Sequence, residues 1–158
     1  MALSDPQLRK QIEEHLPEFV EWAERVEKEA LENGEPLSPP LRAIAQALGI
    51  QNINKIRVWE VDAMPTPENL EIEDLPEQSI SGASGVPFGH AILVLRTLAN
   101  DYHLLTHELV HVRQFEQAGS LRSYLKRYSE ERMRFEYRDM PMELEATREA
   151  DKHFPRHR

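Results

Sequence analysis

The chain has no cysteine. That excludes disulfides and any metal site built on thiolates. No apolar run approaches the length of a membrane span, so no transmembrane helix is expected. Positive charge is short: 19 Lys and Arg stand against 28 Asp and Glu, a formal net charge of −9. General nucleic-acid binding is therefore not expected. The deficit is uneven. Residues 1–77 carry 17 acidic and 7 basic side chains, and residues 78–158 carry 11 and 12. The excess acid in the first half reads as solvated helix faces. A leader pattern is missing too, because Met1-Ala2-Leu3-Ser4-Asp5 turns polar at once. The cytoplasm is the default compartment.

What is present suits a globular protein. At 158 residues, with 40% apolar and 30% charged side chains, one domain over 1–158 with a real core is expected. The 11 prolines divide it into several elements. Residues 1–49 read as helical. Ser4 or Asp5 caps a helix that enters through Pro6 and ends at Asn33-Gly34. Its stripe runs Leu8, Ile12, Leu16, Phe19, Ala23, Val26, and Pro17 predicts a kink or a break. Ser38-Pro39-Pro40 opens a second helix that Gly49 closes.

Residues 50–158 read as sheet plus helices. Residues 55–61 alternate and are rich in β-formers, so they predict a strand. Residues 64–78, with three prolines among acids, predict an irregular excursion. Residues 79–89 predict a flexible Gly/Ser loop with room for a short strand. His90-Ala91-Ile92-Leu93-Val94-Leu95 predicts a second strand, with His90 at the surface rather than facing a cleft, the other reading open to it. Asn100 or Asp101 then caps a helix that stops at Gly119. Residues 121–138 predict one or two helices, and 142–153 a last one.

The chemistry sits at His107-Glu108-Leu109-Val110-His111. Positions i and i+4 of a helix share a face one turn apart. Two imidazoles so placed can reach one Zn²⁺ at about 2.0–2.1 Å. Glu108 then falls beside the metal rather than on it, as a general base for a zinc-activated water requires. Leu104, Leu105, Leu109, Val110, Val112 and Phe115 make this helix apolar around much of its circumference. A buried helix carrying two histidines and a glutamate needs a compensating partner for them. His103 shares the ligand face but falls in the first turn, near the rim.

His-Glu-Leu-Val-His-Val-Arg-Gln resembles the active-site helix of zincin metallopeptidases, in particular the small bacterial and archaeal gluzincins called minigluzincins. The resemblance spans about residues 88–153. It implies a mixed α/β (α+β) zincin-like fold with a small sheet, one catalytic zinc, and hydrolysis of peptide bonds in a peptide or protein substrate. It also implies a sheet that edges the cleft, where an exposed strand can pair with an extended substrate backbone. The longer metzincin motif is excluded, because it requires Gly and His where the chain has Gln114 and Gln117.

The third ligand is expected to be Glu143. Its Glu-x-x-Ala setting resembles the third-ligand helix of gluzincins, although the family's frequent acidic residue four positions on is Thr147 here. Helix geometry argues independently. Glu143 shares a face with Ala146, Thr147 and Ala150, small enough for close helix approach, whereas Glu145 shares one with Arg148, Glu149 and Lys152 and reads as solvated. Glu130, Glu131 and Glu136 are the other carboxylates in the region. Tyr124, Tyr128, Tyr137 and His153 are candidate oxyanion donors, and spacing does not choose among them. The expected function is a zinc metallopeptidase. A zinc-binding module without peptidase activity and a helical interaction protein with a chance match are its rivals. The N-terminal helices or the tail covering the cleft would make it latent. Oligomeric state is not encoded in any pattern found.

Overall fold

The computed structural model describes residues 6–67 and 83–155. The proposed caps Ser4 and Asp5, the side chains of Leu8 and Ile12, most of the 64–78 excursion and the tail 156–158 lie outside what is described. Among the described residues the order is α1 (Pro6–Asn33), α2 (Pro39–Ala47), β1 (Arg57–Val61), β2 (Gly85–Phe88), β3 (Ala91–Leu95), α3 (Tyr102–Ala118), α4 (Leu121–Arg134) and α5 (Pro141–His153). The fold is mixed α/β, with five helices and a three-stranded sheet among those residues. No helix among them is long and apolar enough to cross a membrane.

Helix α1 runs unbroken through Pro17, so of the kink or break its sequence suggests the break does not occur. A mid-helix proline costs about 3 kcal/mol. Each large apolar side chain fully buried returns about 1.5–3 kcal/mol. Leu16 and Phe19 flank the proline and are buried, with Val20 and Val26 following. Burial therefore outweighs the lost hydrogen bond, and Pro17 itself faces solvent. Trp22 extends this face, packing 5.5 Å from the rings of both Phe19 and Phe88.

The sheet order is β1-β3-β2, with β1 parallel and β2 antiparallel to β3. The 90–95 strand is therefore central rather than an exposed edge. β1 and β2 are the two edges; β1 is bridged at Val58 by Glu35, and β2 comes from the stretch that reads as a loop with room for a short strand. β3 is apolar throughout because both of its faces are covered. Ile92 and Val94 enter a core with α2 and α3, while Ala91 and Leu93 enter a second core with α1. Helix α1 thus lies on the sheet face turned away from α3.

Two residues, Gly89 and His90, join β2 to β3. His90 is not the surface residue expected. Its backbone N–H donates to Glu27 Oε2 at 3.0 Å, and its ring nitrogen Nε2 meets Glu116 Oε2 at 2.9 Å. Glu116 also accepts from the backbone N–H groups of Gln51 and Asn52 at 2.8 and 2.9 Å. The hairpin is thereby tied to α1, to α3 and to the chain after α2. Gly89 has φ +63°, and a Cβ there would collide with the Glu27 carboxylate. Gly89→Ala is expected to destabilise the protein by about 1–3 kcal/mol from backbone strain, with more from displacing Glu27. Denaturant unfolding measures this, and an unchanged midpoint would refute it.

Candidate metal centre

Helix α3 starts where Asp101 accepts a hydrogen bond from the N–H of Leu104 at 3.0 Å, the ordinary action of an N-cap. It stops at Gly119. Leu105, Leu109, Val110 and Val112 bury it against the sheet and α2. His107 and His111 then project from one face, toward α5. Helix α5 is set by Glu131, whose Oε1 accepts from the N–H of Met142 at 2.9 Å. A carboxylate at a helix N-terminus is favoured by the unpaired N–H groups there. Glu131 is thus engaged in capping. Ala146 and Ala150 are fully buried and let α5 lie close to α3.

This packing brings Glu143 to the two histidines. The donor atoms of His107, His111 and Glu143 all lie within 4.8 Å of one another. His107 Nε2 is 2.9 Å from Glu143 Oε1. His111 Nε2 is 3.3 Å from the same oxygen and 3.3 Å from His107 Nε2. Ligands held about 2.0–2.1 Å from one tetrahedral zinc sit roughly 3.3 Å apart. Two nitrogens and one carboxylate oxygen at these separations therefore fit a single zinc, and the donor types suit it.

The surroundings are electrostatically coupled. Burial works against a charged His111 ring, but the Glu143 carboxylate more than offsets it and pushes the ring up to about 9. Burial likewise works against the Glu143 carboxylate, and the His111 and His107 rings outweigh it, so its carboxyl is held well below the usual range. Burial pushes Glu108 up to about 7, with both histidines opposing.

Glu108 is 4% exposed and is not one of the converging donors. Edge strand β2 passes directly over it. A Cβ on Gly85 would lie 3.2 Å from Glu108 Cγ and 3.3 Å from Oε2. That is tighter than side chains normally tolerate, so glycine lets the strand and the carboxylate approach. Leu95 N donates to Ser84 O at 3.0 Å. By antiparallel alternation, the backbone groups of Gly85 then turn to the edge that no other described strand pairs.

Two of the candidate oxyanion donors reach the centre. Tyr128 donates to Glu143 Oε2 at 2.8 Å, and Tyr137 to Oε1 at 3.2 Å. Burial and the nearby carboxylate raise both phenols, so they remain hydroxyl donors. Tyr124 is buried against Tyr128, with ring centroids 6.2 Å apart. His153 ends α5. His103, expected at the rim, lies 2.8 Å from Asp151 across the α3–α5 seam.

Glu145 departs from expectation. It is partly buried, accepts from Gln114 Nε2 at 2.8 Å and sits 3.6 Å from Arg113. The helical face that reads as solvated lies close enough to α3 for this long side chain to reach back. Gln114 was legible in the sequence only as a mismatch to another motif. Its position three residues after His111 on an apolar helix was the available signal for a buried polar partner. No family model, no curated protein and no solved structure matches the chain.

Proposed function

We propose that the chain is a zinc-dependent metallopeptidase of the gluzincin type, its 158 residues forming one zincin-like domain. One observation carries the reading: His107, His111 and Glu143 converge with spacing suited to a tetrahedral ion, while Glu108 is buried beside them and not among them. When bound there, zinc supplies Lewis acidity, polarising a carbonyl and lowering the pKa of water.

The chain's own residues supply the rest. Glu108 takes a proton from the attacking water and returns it to the leaving amine as the C–N bond breaks. Its burial beside the converging donors, and not among them, places the carboxylate to serve both halves of that transfer. Tyr128 orients Glu143 through its hydrogen bond. Tyr137 is half exposed, with its hydroxyl at the donor cluster, and is the phenol best placed to donate to a developing oxyanion. The edge of β2 that no other described strand pairs offers Gly85 to an extended peptide, so the substrate backbone would pass over Glu108. The net charge of −9 disfavours nucleic acid as an alternative substrate.

Zinc stoichiometry together with an unbiased peptide-cleavage profile, before and after chelation, tests this. About one zinc per chain is expected, with cleavage lost on chelation and regained on adding zinc back. Protein that takes up no zinc would reject the reading. Zinc uptake with no cleavage across a broad library would leave a non-catalytic zinc module in its place.

A further inference from the structure

We infer that Gln114 is the positioning residue of this centre, fixing which nitrogen of His111 carries the proton and tying that ring to the helix that delivers Glu143. The inference rests on reading the three donors as a metal site. Its geometry stands on hydrogen bonds internal to the chain.

Gln114 lies three residues after His111 on α3 and is 1% exposed. Its amide makes three hydrogen bonds. Oε1 is 2.8 Å from His111 Nδ1. Nε2 donates to Met142 O at 3.0 Å and to Glu145 Oε1 at 2.8 Å. Both amide hydrogens are therefore spent on groups that can only accept. Turning the amide over would set its oxygen against a carbonyl and a carboxylate in a buried place, leaving acceptors facing an acceptor. The oxygen must face the ring, and an amide oxygen cannot donate. His111 Nδ1 must then bear the hydrogen. In the neutral ring this leaves the lone pair on Nε2, the nitrogen that faces His107 and Glu143.

The same amide holds the first turn of α5. Met142 O belongs to the residue before Glu143, so one side chain sets the ring and anchors the backbone that carries the third donor. The far end is fixed as well. Glu145 lies 3.6 Å from Arg113, whose guanidinium donates to Leu48 O at 3.2 Å. Among the described residues His107 has no buried amide in the corresponding place. Its Nδ1 faces the Thr147 hydroxyl at 3.5 Å, and a hydroxyl can donate or accept. Losing Gln114 should therefore change His111 and spare His107.

Two variants test this. Gln114→Met keeps length and packing but removes every hydrogen bond. The double variant Gln114→Glu with Glu145→Gln exchanges acceptor and donor, so the ring still meets an accepting oxygen. The first measurement is the tautomer of each histidine in metal-free protein, by long-range ¹H–¹⁵N correlation at alkaline pH. The second is zinc affinity by competition with a chromogenic chelator. Wild type should show His111 protonated at Nδ1. Gln114→Met should show mixed tautomers at His111 alone and bind zinc about 10–100-fold more weakly, the usual loss for an outer hydrogen-bond partner. The double variant restores the acceptor at the ring but not the donor to Met142 O, so it should recover the tautomer and only part of the affinity. Wild-type His111 protonated at Nε2 would overturn the inference without any variant. Unchanged tautomer and affinity in folded Gln114→Met would overturn it too. If wild type binds no zinc but Gln114→Met still loses the Nδ1–H form, the metal reading fails and the control of the ring by Gln114 stands.

Discussion

Glu108→Gln is expected to keep its zinc and to lose peptide hydrolysis by a factor on the order of 10² or more. The amide matches the carboxylate in size, so the close passage of Gly85 over the side chain is preserved. It cannot take up a proton near neutral pH, so proton transfer to the leaving nitrogen is lost. Zinc should be retained because Glu108 is not among the converging donors. Folding should not suffer, since a buried carboxyl with a raised pKa gives way to a neutral group. The measurement pairs metal content with turnover of one peptide that wild type cleaves. Equal turnover would remove Glu108 from the role of base.

Glu143→Ala is expected to weaken zinc binding by about 10²–10³-fold. Zinc bound by four ligands is worth about 10–16 kcal/mol, or roughly 2.5–4 kcal/mol per ligand. Glu145→Ala acts at one remove, through Gln114, and should cost about tenfold or less. Glu143→Gln is the companion variant that keeps an acceptor for one of the Tyr128 and Tyr137 hydroxyls, which bond different carboxylate oxygens, and its zinc affinity should also fall sharply. Competition with a chelator of known affinity reads all three. A large loss confined to Glu145→Ala would overturn the assignment.

The turn of Glu143 toward the histidines is legible in the sequence because it depends on one helix alone. Two residues on a helix set two apart point to nearly opposite sides, and the small residues beside Glu143 mark the packed one. Helix α3 is legible for the same reason, from its cap at Asp101 to Gly119. What is not legible arises where distant segments meet. For strand β2 only its bounds are hidden: the Gly/Ser stretch leaves room for a short strand, and pairing with β3 fixes it at four residues. The inward reach of Glu145 depends on Gln114, 31 positions away. His90 is drawn inward by Glu116 and Glu27, neither of them near in sequence. At Pro17 the break that local propensity offers, beside a kink, is overridden by tertiary burial.

The donors that converge are far apart along the chain, with 36 positions between His107 and Glu143 and all of α4 intervening. In an unfolded chain the same groups come together only by closing that loop, at an entropic cost of about 4 kcal/mol on the relation used for crosslinks. The native fold has closed it already. An ion gathered by these residues would therefore discriminate between the two states by roughly a thousandfold from loop entropy alone. In a chain with no cysteine, this is where a reversible staple is available, and its hold on the fold would follow the free-ion concentration rather than the redox state of the surroundings.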